Sequence, residues 1–338
     1  MSLLPFEQTK RTVLVKRQAE TDPNVGCAPE KRTTEQLLDY GVVNLNKPKG
    51  PTSHMTSDYV QRILHIDKAG HGGSLDPAVT GVLPVALGRA TRVVQALLPA
   101  GKEYVCIMRL HDDVPVDKLN AAIKKFTGTI TQLPPVKSAV VRRERERTIY
   151  YFEVLEIDGR NVLFRLGCQA GTYVRKVCHD LGQMLGCGAH MQELVRTKAG
   201  PFQDKDMVSL QDLEDGFALW KEEGNDKFLR SLIKPVEFGV SHLPKVWVYD
   251  SAVDSLCHGA SLNLPGVIRL ESHISVGAVV AVMTFKDELV ALGEALMTDA
   301  QMMKDEKGTC VKINKVFMLE GTYPKMKRPD SSQKPNPL

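Results

Sequence analysis

Along the first 240 positions, segments in which apolar residues have helical spacing alternate with segments in which they have the spacing typical of strands. Helical spacing occurs in residues 52–64, 119–126, 174–185 and 209–220. Strand patterns occur in residues 41–45, 103–110, 148–157 and 161–168. An Asp-Gly-Arg sequence between the last two strands predicts a hairpin turn, and Thr52 with Ser53 is predicted to cap the first helix. This mixture indicates an α+β fold with a mixed or antiparallel sheet rather than a doubly wound parallel one.

Beyond Pro244 the pattern changes to short strands separated by glycines, which predicts a small β-barrel of about 80 residues. The residues before position 39 are polar, mixed in charge and without a sustained period. We therefore predict an N-terminal extension at residues 1–38 that packs on the barrel side and an α+β domain at residues 39–240. The barrel follows at residues 245–325 and a flexible tail at 326–338.

Length and composition support two domains in an intracellular protein. The chain has 338 residues, and single cores usually stop growing near ~250. No apolar run reaches the roughly 18 residues of a transmembrane helix, and the N-terminus lacks the apolar core of a signal peptide. We expect no membrane partner. The seven cysteines are odd in number and contain no C-x-x-C pair, so they predict reduced thiols rather than disulfides or a zinc site.

The glycine-rich loop at residues 69–77 is the most unusual stretch of the chain. The sequence contains neither a Walker A string nor a G-x-S-x-G elbow, and it has no H-x-E or H-E-x-x-H metal motif. These absences argue against nucleotide hydrolysis, acyl transfer and metal-dependent hydrolysis. The sequence therefore predicts a chemistry that needs no cofactor and no metal ion.

The loop contains one carboxylate, Asp76, between Leu75 and Pro77. Pro77 biases Asp76 toward an extended backbone, and a carboxylate so placed can act as a nucleophile. The alternative is that Asp76 is a helix cap or turn residue ahead of residues 80–87. Arg175, at a predicted helix start, would favour the ionised carboxylate if it lay nearby, but it could equally be an ordinary surface charge.

Positive charge is concentrated in residues 137–148, although the whole chain has a net charge of only +4. Five basic residues stand there against two acidic ones, with Tyr150 and Tyr151 close behind. Guanidinium and aromatic groups in one segment suit phosphates and exposed bases, so the segment predicts RNA binding; a solvated, self-neutralising hairpin is the alternative. The basic residues are Lys137, Arg142, Arg143, Arg145 and Arg147.

Five ordered blocks resemble TruB-type pseudouridine synthases, and the C-terminal strands resemble a PUA domain. The blocks are LNKPKG at residues 45–50, AGH to LDP at 69–77 with TGVLP at 80–84, GKEY at 101–104, GTYVR at 171–175 and GAHMQEL at 188–194. Further similarities, in residues 101–112, 186–202 and 286–293, point to the dyskerin-type catalytic subunit of H/ACA ribonucleoproteins. The absence of a long lysine-rich tail resembles the archaeal form, for which we expect a cytoplasmic location.

The resemblance implies the roles of individual residues. Asp76 is implied as the nucleophile, Tyr104 as the stacking residue and late base, and Arg175 as the partner of Asp76. Residues 137–148 correspond to a mobile loop that closes over RNA. The implied pocket residues are His71, Tyr173, Leu194, Lys47 and Pro48. In the PUA domain, the implied RNA contacts are His258, Gly259 and Gly266.

The resemblance also implies RNA and protein partners. A guide RNA of the H/ACA type would pair with ribosomal or transfer RNA targets, and small accessory H/ACA proteins would assemble with a kink-turn-binding ribosomal-type protein. The alternatives are a stand-alone synthase for the transfer-RNA T-loop and a non-catalytic RNA scaffold. Gly72, Ser74 and Val195 depart from the usual residues of the family, although none removes a chemical group.

Overall fold

The computed structural model of the protein describes residues 2–134, 141 and 143–325. The chain divides into two compact units. The first contains residues 1–10 and 33–242, and the second contains residues 11–32 and 243–338. Among the described residues, no helix is long and apolar enough to cross a membrane.

The first unit contains most of the helices and one large sheet. Its helices are α1 Pro5–Gln8, α2 Thr34–Tyr40, α3 Ser53–Ile63, α4 Val94–Leu97, α5 Val116–Phe126, α6 Val174–Leu185, α7 Leu210–Glu223 and α8 Lys227–Leu232. Its strands are β2 Gly41–Lys47, β3 Ala69–His71, β4 Thr80–Leu87, β5 Lys102–Leu110, β6 Gly128–Gln132, β7 Arg145–Asp158, β8 Asn161–Cys168, β9 Ala189–Ala199, β10 Phe202–Gln203 and β11 Ile233–Pro235. The mixture of helices and hairpins confirms the predicted α+β class.

The sheet of the first unit has the strand order β11-β2-β4-β9-β5-β8-β7-β6, with β10 beside β9 and β3 beside β4. Strand pairs are antiparallel except β4 with β9, which meet in parallel. Helices α5 and α6 pack on the half of the sheet that contains β5 and β8, and α3, α7 and α8 pack with β2 and β4. Strand β5 lies between β8 and β9, so its residues are fixed from both sides.

The second unit is the small β domain that the sequence predicts. Its strands are β1 Val13–Val15, β12 Lys245–Val248, β13 Leu262–Asn263, β14 Val267–Glu271, β15 Val279–Thr284, β16 Leu289–Ala295 and β17 Thr309–Val316. Its helices are α9 Asp250–Cys257 and α10 Asp299–Lys304. The strand order is β1-β14-β12-β15-β16-β17-β13, around a core of Val, Leu and Ile side chains.

The predicted extension, residues 1–38, is divided between the two units rather than assigned to the barrel side alone. Strand β1 pairs with β14 in the second unit. Residues 1–10 belong instead to the first unit, where Leu4 is fully buried and Glu7 forms an ion pair with Lys198 at 2.9 Å. The division follows from these contacts, because Leu4 loses its apolar burial if the segment moves away.

Lys102 begins β5 and is only 5% exposed. Its ammonium donates to three main-chain carbonyls, those of Leu97, Leu98 and Ala100, at 2.7–3.0 Å. Burial lowers the pKa of Lys102 to about 7, and the charge of Arg196 acts in the same direction. Lys102 therefore fixes the turn that leads into β5.

We predict that the stabilisation associated with Lys102 increases with pH. The folded protein releases this proton near pH 7, whereas an unfolded lysine keeps it to about pH 10.4, so the unfolded chain binds more protons in between. The free energy of unfolding of the wild type, minus that of Lys102→Met, should rise by about 1–3 kcal/mol between pH 7 and pH 9. Denaturant titrations at both pH values measure this difference, and a flat difference would contradict the lowered pKa.

Candidate active site

The loop that contains Asp76 is hydrogen-bonded to the first unit on both sides of this residue. Before it, the Leu75 N–H donates to Ser53 Oγ at 2.7 Å, and Ser53 Oγ lies 3.1 Å from the Leu75 carbonyl. After it, the Pro77 carbonyl accepts from the Gly50 N–H at 2.9 Å. The Asp76 carbonyl accepts from the Val79 N–H at 3.0 Å, so Asp76 lies in a turn ahead of strand β4, not at a helix cap. These contacts fix the backbone that presents the carboxylate.

Lys47 lies fully buried beneath this loop. Its ammonium donates to the carbonyls of Pro48, Pro77 and Val79 at 2.9–3.3 Å. Burial lowers the pKa of Lys47, while the nearby negative charge of Asp76 acts in the opposite direction. Lys47 thus supports the loop from below and also binds the carbonyl of Pro48; that the two residues line a substrate pocket stays a prediction.

The carboxylate of Asp76 meets the guanidinium of Arg175, with Arg175 Nη2 at 2.7 Å from Asp76 Oδ2. The two residues are 99 positions apart in the sequence. Arg175 lies in the first turn of α6, and both side chains are about half exposed. Exposed ion pairs contribute about 0–1 kcal/mol to folding. The pair therefore has little weight in stability, and the position of each side chain depends on the backbone that presents it.

Tyr104 lies on β5 directly opposite Arg196 of β9. Burial raises the pKa of the Tyr104 phenol, while the positive charge of Arg196 opposes that rise. Arg196 is 1% exposed, and its guanidinium also donates to the carbonyls of Val82 at 2.7 Å and Gly73 at 3.0 Å. One buried cation thus joins the tyrosine to the loop that contains Asp76.

The other predicted pocket residues lie on elements around this cluster. His71 ends β3 opposite Val85; burial, the charge of Arg196 and that of His54 lower its pKa. In the part of the chain that the structure describes, its buried Nδ1 has no hydrogen-bond partner. Leu194 lies on β9 and packs against the core under β5, and Tyr173 is the residue from which α6 begins.

The predicted RNA-binding segment is described only in part, because Lys137 and Arg142 lie outside the described residues. Arg143 is exposed and precedes β7, and Arg145 begins that strand. Arg147 instead packs over Gly171, where an added Cβ would lie 3.1 Å from Arg147 Nη2. Arg143 is therefore better placed than Arg147 to contact an external phosphate.

In the second unit, the predicted RNA contacts His258, Gly259 and Gly266 surround the ends of α9. His258 Nδ1 lies 2.8 Å from the Asp254 carbonyl, and His258 Nε2 lies 3.3 Å from a Glu320 carboxylate oxygen. A phosphate would have to compete with this carboxylate. Gly259 has a φ of +84° and open space at its Cβ position, so a ligand can approach its backbone. Gly266 instead permits close packing, since a Cβ there would lie 3.2 Å from Leu262.

Sequence reasoning missed two residues of this arrangement. Arg196 follows Val195, which drew attention only as a departure from the family, and the register of β9 against β5 is what places Arg196 opposite Tyr104. Ser53 was expected to cap α3, but Thr52 is the N-cap, and the Ser53 hydroxyl binds the loop at Leu75 instead. The only signal in the sequence was that each is a polar residue close to a recognised motif, Arg196 after residues 188–194 and Ser53 after residues 45–50.

Family models match nearly the whole chain. The matches are DKCLD (NUC011) domain at residues 2–56, TruB family pseudouridylate synthase (N terminal domain) at 61–174, tRNA pseudouridylate synthase B C-terminal domain at 175–241 and PUA domain at 244–317. A relative in Pyrococcus abyssi, named probable tRNA pseudouridine synthase B, is 56% identical and aligns over 96% of this chain and 97% of its own length.

Two solved structures are similar over the same length. One is a chain of an H/ACA RNP bound to a substrate RNA containing 2′-deoxyuridine, with 53% identity, a TM-score of 0.90 and coverage of 96% of this chain and 99% of that one. The other belongs to a Cbf5-Nop10-Gar1 complex, with 55% identity, a TM-score of 0.91 and the same coverage. The chain belongs to the TruB family of pseudouridine synthases, and to the archaeal form of its dyskerin-type branch.

Proposed function

We propose that this chain isomerises uridine to pseudouridine in RNA, as the catalytic subunit of an H/ACA ribonucleoprotein. The observation that carries the proposal is the ion pair between Asp76 and Arg175, formed near Tyr104 on a loop that buried side chains and backbone hydrogen bonds hold. Such a site supplies a positioned carboxylate and an aromatic ring in reach of one another. These two groups are what the isomerisation of a flipped base requires.

In the proposed reaction, Asp76 attacks the ribose C1′ of the target uridine or first assists the loss of a ribose proton. By either route the bond between C1′ and N1 breaks, and the freed uracil takes up the electron pair. The uracil then rotates and forms a new bond between C5 and C1′. In the first route this breaks the ester bond between Asp76 and C1′, and in the second Asp76 returns the ribose proton, so the carboxylate is regenerated either way. The proton on C5 leaves and N1 acquires one, so the product is an isomer of the substrate and no cofactor is consumed.

Tyr104 stacks on the target base. Its phenol gives its own proton to the uracil N1, and the resulting phenolate accepts the C5 proton late in this sequence, which restores the phenol. Stacking on an aromatic ring is worth about 1–3 kcal/mol, which offsets much of the few kcal/mol required to extrude a base. The raised pKa of Tyr104 keeps the phenol neutral while the base enters. The charge of Arg196, which opposes the rise in the pKa of Tyr104, stabilises the phenolate that this proton transfer requires.

Specificity in this proposal comes from base pairing between a guide RNA and a ribosomal or transfer RNA target. The second unit, with strand β1, binds the guide, and small accessory proteins such as those in the Cbf5-Nop10-Gar1 complex bind the catalytic unit, with a kink-turn-binding ribosomal-type protein on the RNA. The cytoplasm is the compartment that we propose. Activity on the T-loop of bare transfer RNA is the second candidate, favoured by the name of the Pyrococcus abyssi relative.

The first test replaces the nucleophile. Asp76→Asn keeps the size of the side chain but removes its charge, so we expect the loss of detectable pseudouridine in a guide-matched RNA, with RNA affinity retained. Single-turnover assays with and without guide RNA measure this outcome. Wild-type activity in Asp76→Asn would exclude the assignment, and an inactive wild type under these conditions would favour a non-catalytic scaffold.

The second test concerns the buried cation behind Tyr104. Arg196→Met removes the hydrogen bonds to the Gly73 and Val82 carbonyls and the positive charge near Tyr104, and leaving buried acceptors unpaired costs about 1–3 kcal/mol for each group. We expect a lower melting temperature and a single-turnover rate at least about 10-fold lower. Arg196→Lys keeps the charge and should recover part of the stability. A rate equal to wild type in a folded Arg196→Met protein would contradict a role beside Tyr104.

The third test addresses the arginines at and just before the start of β7. Arg143→Glu with Arg145→Glu should weaken RNA binding and reduce the slope of log affinity against log salt by about 1–2, because fewer phosphates are neutralised. Arg160→Glu is the matched control, since Arg160 is an exposed arginine at the opposite end of β7 and pairs with Asp112 and Asp113. An unchanged slope in the double variant would mean that the segment is a solvated hairpin.

A further inference from the structure

The segment between β8 and α6, residues 169–173, leads directly to Arg175 and is here named the pocket loop. The hairpin of β6 and β7 contacts this loop along its whole length. Gln169 exchanges two hydrogen bonds with Thr148 of β7: the Gln169 N–H donates to the Thr148 carbonyl at 2.8 Å, and the Thr148 N–H donates to Gln169 Oε1 at 3.1 Å. Arg147 of the same strand packs over Gly171, which has a φ of +79°.

The third contact is made by Gln132, the last residue of β6, which is 2% exposed. Its side-chain amide binds both main-chain groups of Tyr173. Gln132 Oε1 accepts from the Tyr173 N–H at 3.0 Å, and Gln132 Nε2 donates to the Tyr173 carbonyl at 3.2 Å. These two hydrogen bonds require a side chain that both donates and accepts, and the uncharged amide of glutamine does so.

Tyr173 is the N-cap of α6, so these two hydrogen bonds act where the helix begins. The side chain of Tyr173 makes no capping hydrogen bond, and its carbonyl also accepts from the N–H groups of Lys176 and Val177. A helix start usually depends on a side chain of its own N-cap residue. Here the buried amide of a distant strand instead binds the N–H and the carbonyl of the N-cap residue itself, and so fixes the backbone at the start of the helix.

The consequence concerns Arg175, two residues further along α6. Its ion pair with Asp76 is half exposed and so too weak to fix its own geometry. The direction of the Arg175 side chain therefore depends on the backbone from which it projects. That backbone is the first turn of α6, which Gln132 holds.

We infer that Gln132 is a positioning residue for the isomerisation: it fixes the main chain at Tyr173 so that Arg175 meets Asp76 in the productive geometry. The inference rests on the proposed function. It also assigns the last residue of β6, which pairs with Arg145 of β7, a part in catalysis that is separate from phosphate binding.

The test uses Gln132→Met and Gln132→Glu in the complex assembled with guide RNA. Gln132→Met keeps the length of the side chain and removes both hydrogen bonds, so we expect a single-turnover rate about 10- to 100-fold lower, because small misplacements of reacting groups have effects of that size. The RNA dissociation constant should change by less than about threefold, since the variant removes no charge. Amide hydrogen exchange in a peptide covering residues 169–177 should become faster.

Gln132→Glu adds a readout that a purely structural role would not give. Burial opposite a carbonyl raises the pKa of a carboxyl group, and only the protonated acid can donate to the Tyr173 carbonyl while accepting from its N–H. The ratio of the Gln132→Glu rate to the wild-type rate should therefore rise as the pH falls from 8 to 5.5. A ratio that is independent of pH would overturn the inference.

Asn44→Leu is the matched control. Asn44 is a buried amide on β2 that donates to the Gln203 carbonyl at 2.7 Å, so its loss should lower stability and leave the rate unchanged. An equal loss of rate in both variants, or unchanged exchange at 169–177 in Gln132→Met, would overturn the positioning role. If the wild-type complex forms no pseudouridine, the proposed function fails, and hydrogen exchange still decides whether Gln132 holds the start of α6.

Discussion

The site depends on buried cations that hydrogen-bond to main-chain carbonyls. Lys47 holds the turn after Asp76, Arg196 holds Gly73 ahead of it, and Lys102 holds the turn that leads into β5. Moving a charged group from water into the protein interior costs several kcal/mol unless hydrogen bonds compensate. Each of these cations donates to carbonyl acceptors. An outward movement of these loops would leave a buried cation unpaired. The loops are therefore stiff for an electrostatic reason, beyond the packing of their apolar side chains.

The same cations determine the character of the pocket. Burial lowers the pKa values of Lys47 and His71, and the charge of Arg196 lowers them further. On Tyr104 the same charge opposes the effect of burial, which raises the pKa. The lowered pKa of His71 favours its neutral ring, which can face a base without adding a further positive charge. The fixed positive charge of Arg196 is instead directed at the phenol oxygen and at the loop beneath Asp76.

The sequence predicted the parts of the fold that depend on local patterns and the site residues that belong to short motifs. Asp76, Tyr104 and Arg175 lie in such motifs, and the helix at residues 174–185 follows directly from its spacing of apolar residues. Arg196 could not be placed, because its function depends on the register of β9 against β5. Gln132 gave no signal at all, since its partners are main-chain atoms 41 residues away that carry no sequence pattern. The N-terminal extension was assigned to one unit because its division depends on Leu4 and Glu7, whose partners are also distant in the sequence.

The exposure of the ion pair between Asp76 and Arg175 is itself consistent with catalysis. In water, two unit charges 4 Å apart attract by about 1 kcal/mol, whereas at an effective dielectric constant of 20 the attraction is about 4 kcal/mol. A flipped uridine that enters the pocket displaces water from both side chains, so their interaction strengthens as the substrate binds. If the pair were already buried in the free enzyme, its attraction would not increase when the substrate binds. A buried pair would also leave no room for C1′ beside the carboxylate. Rigid support from Lys47, Arg196 and Gln132 compensates for the weakness of the open pair, because it holds both partners in position before the RNA arrives.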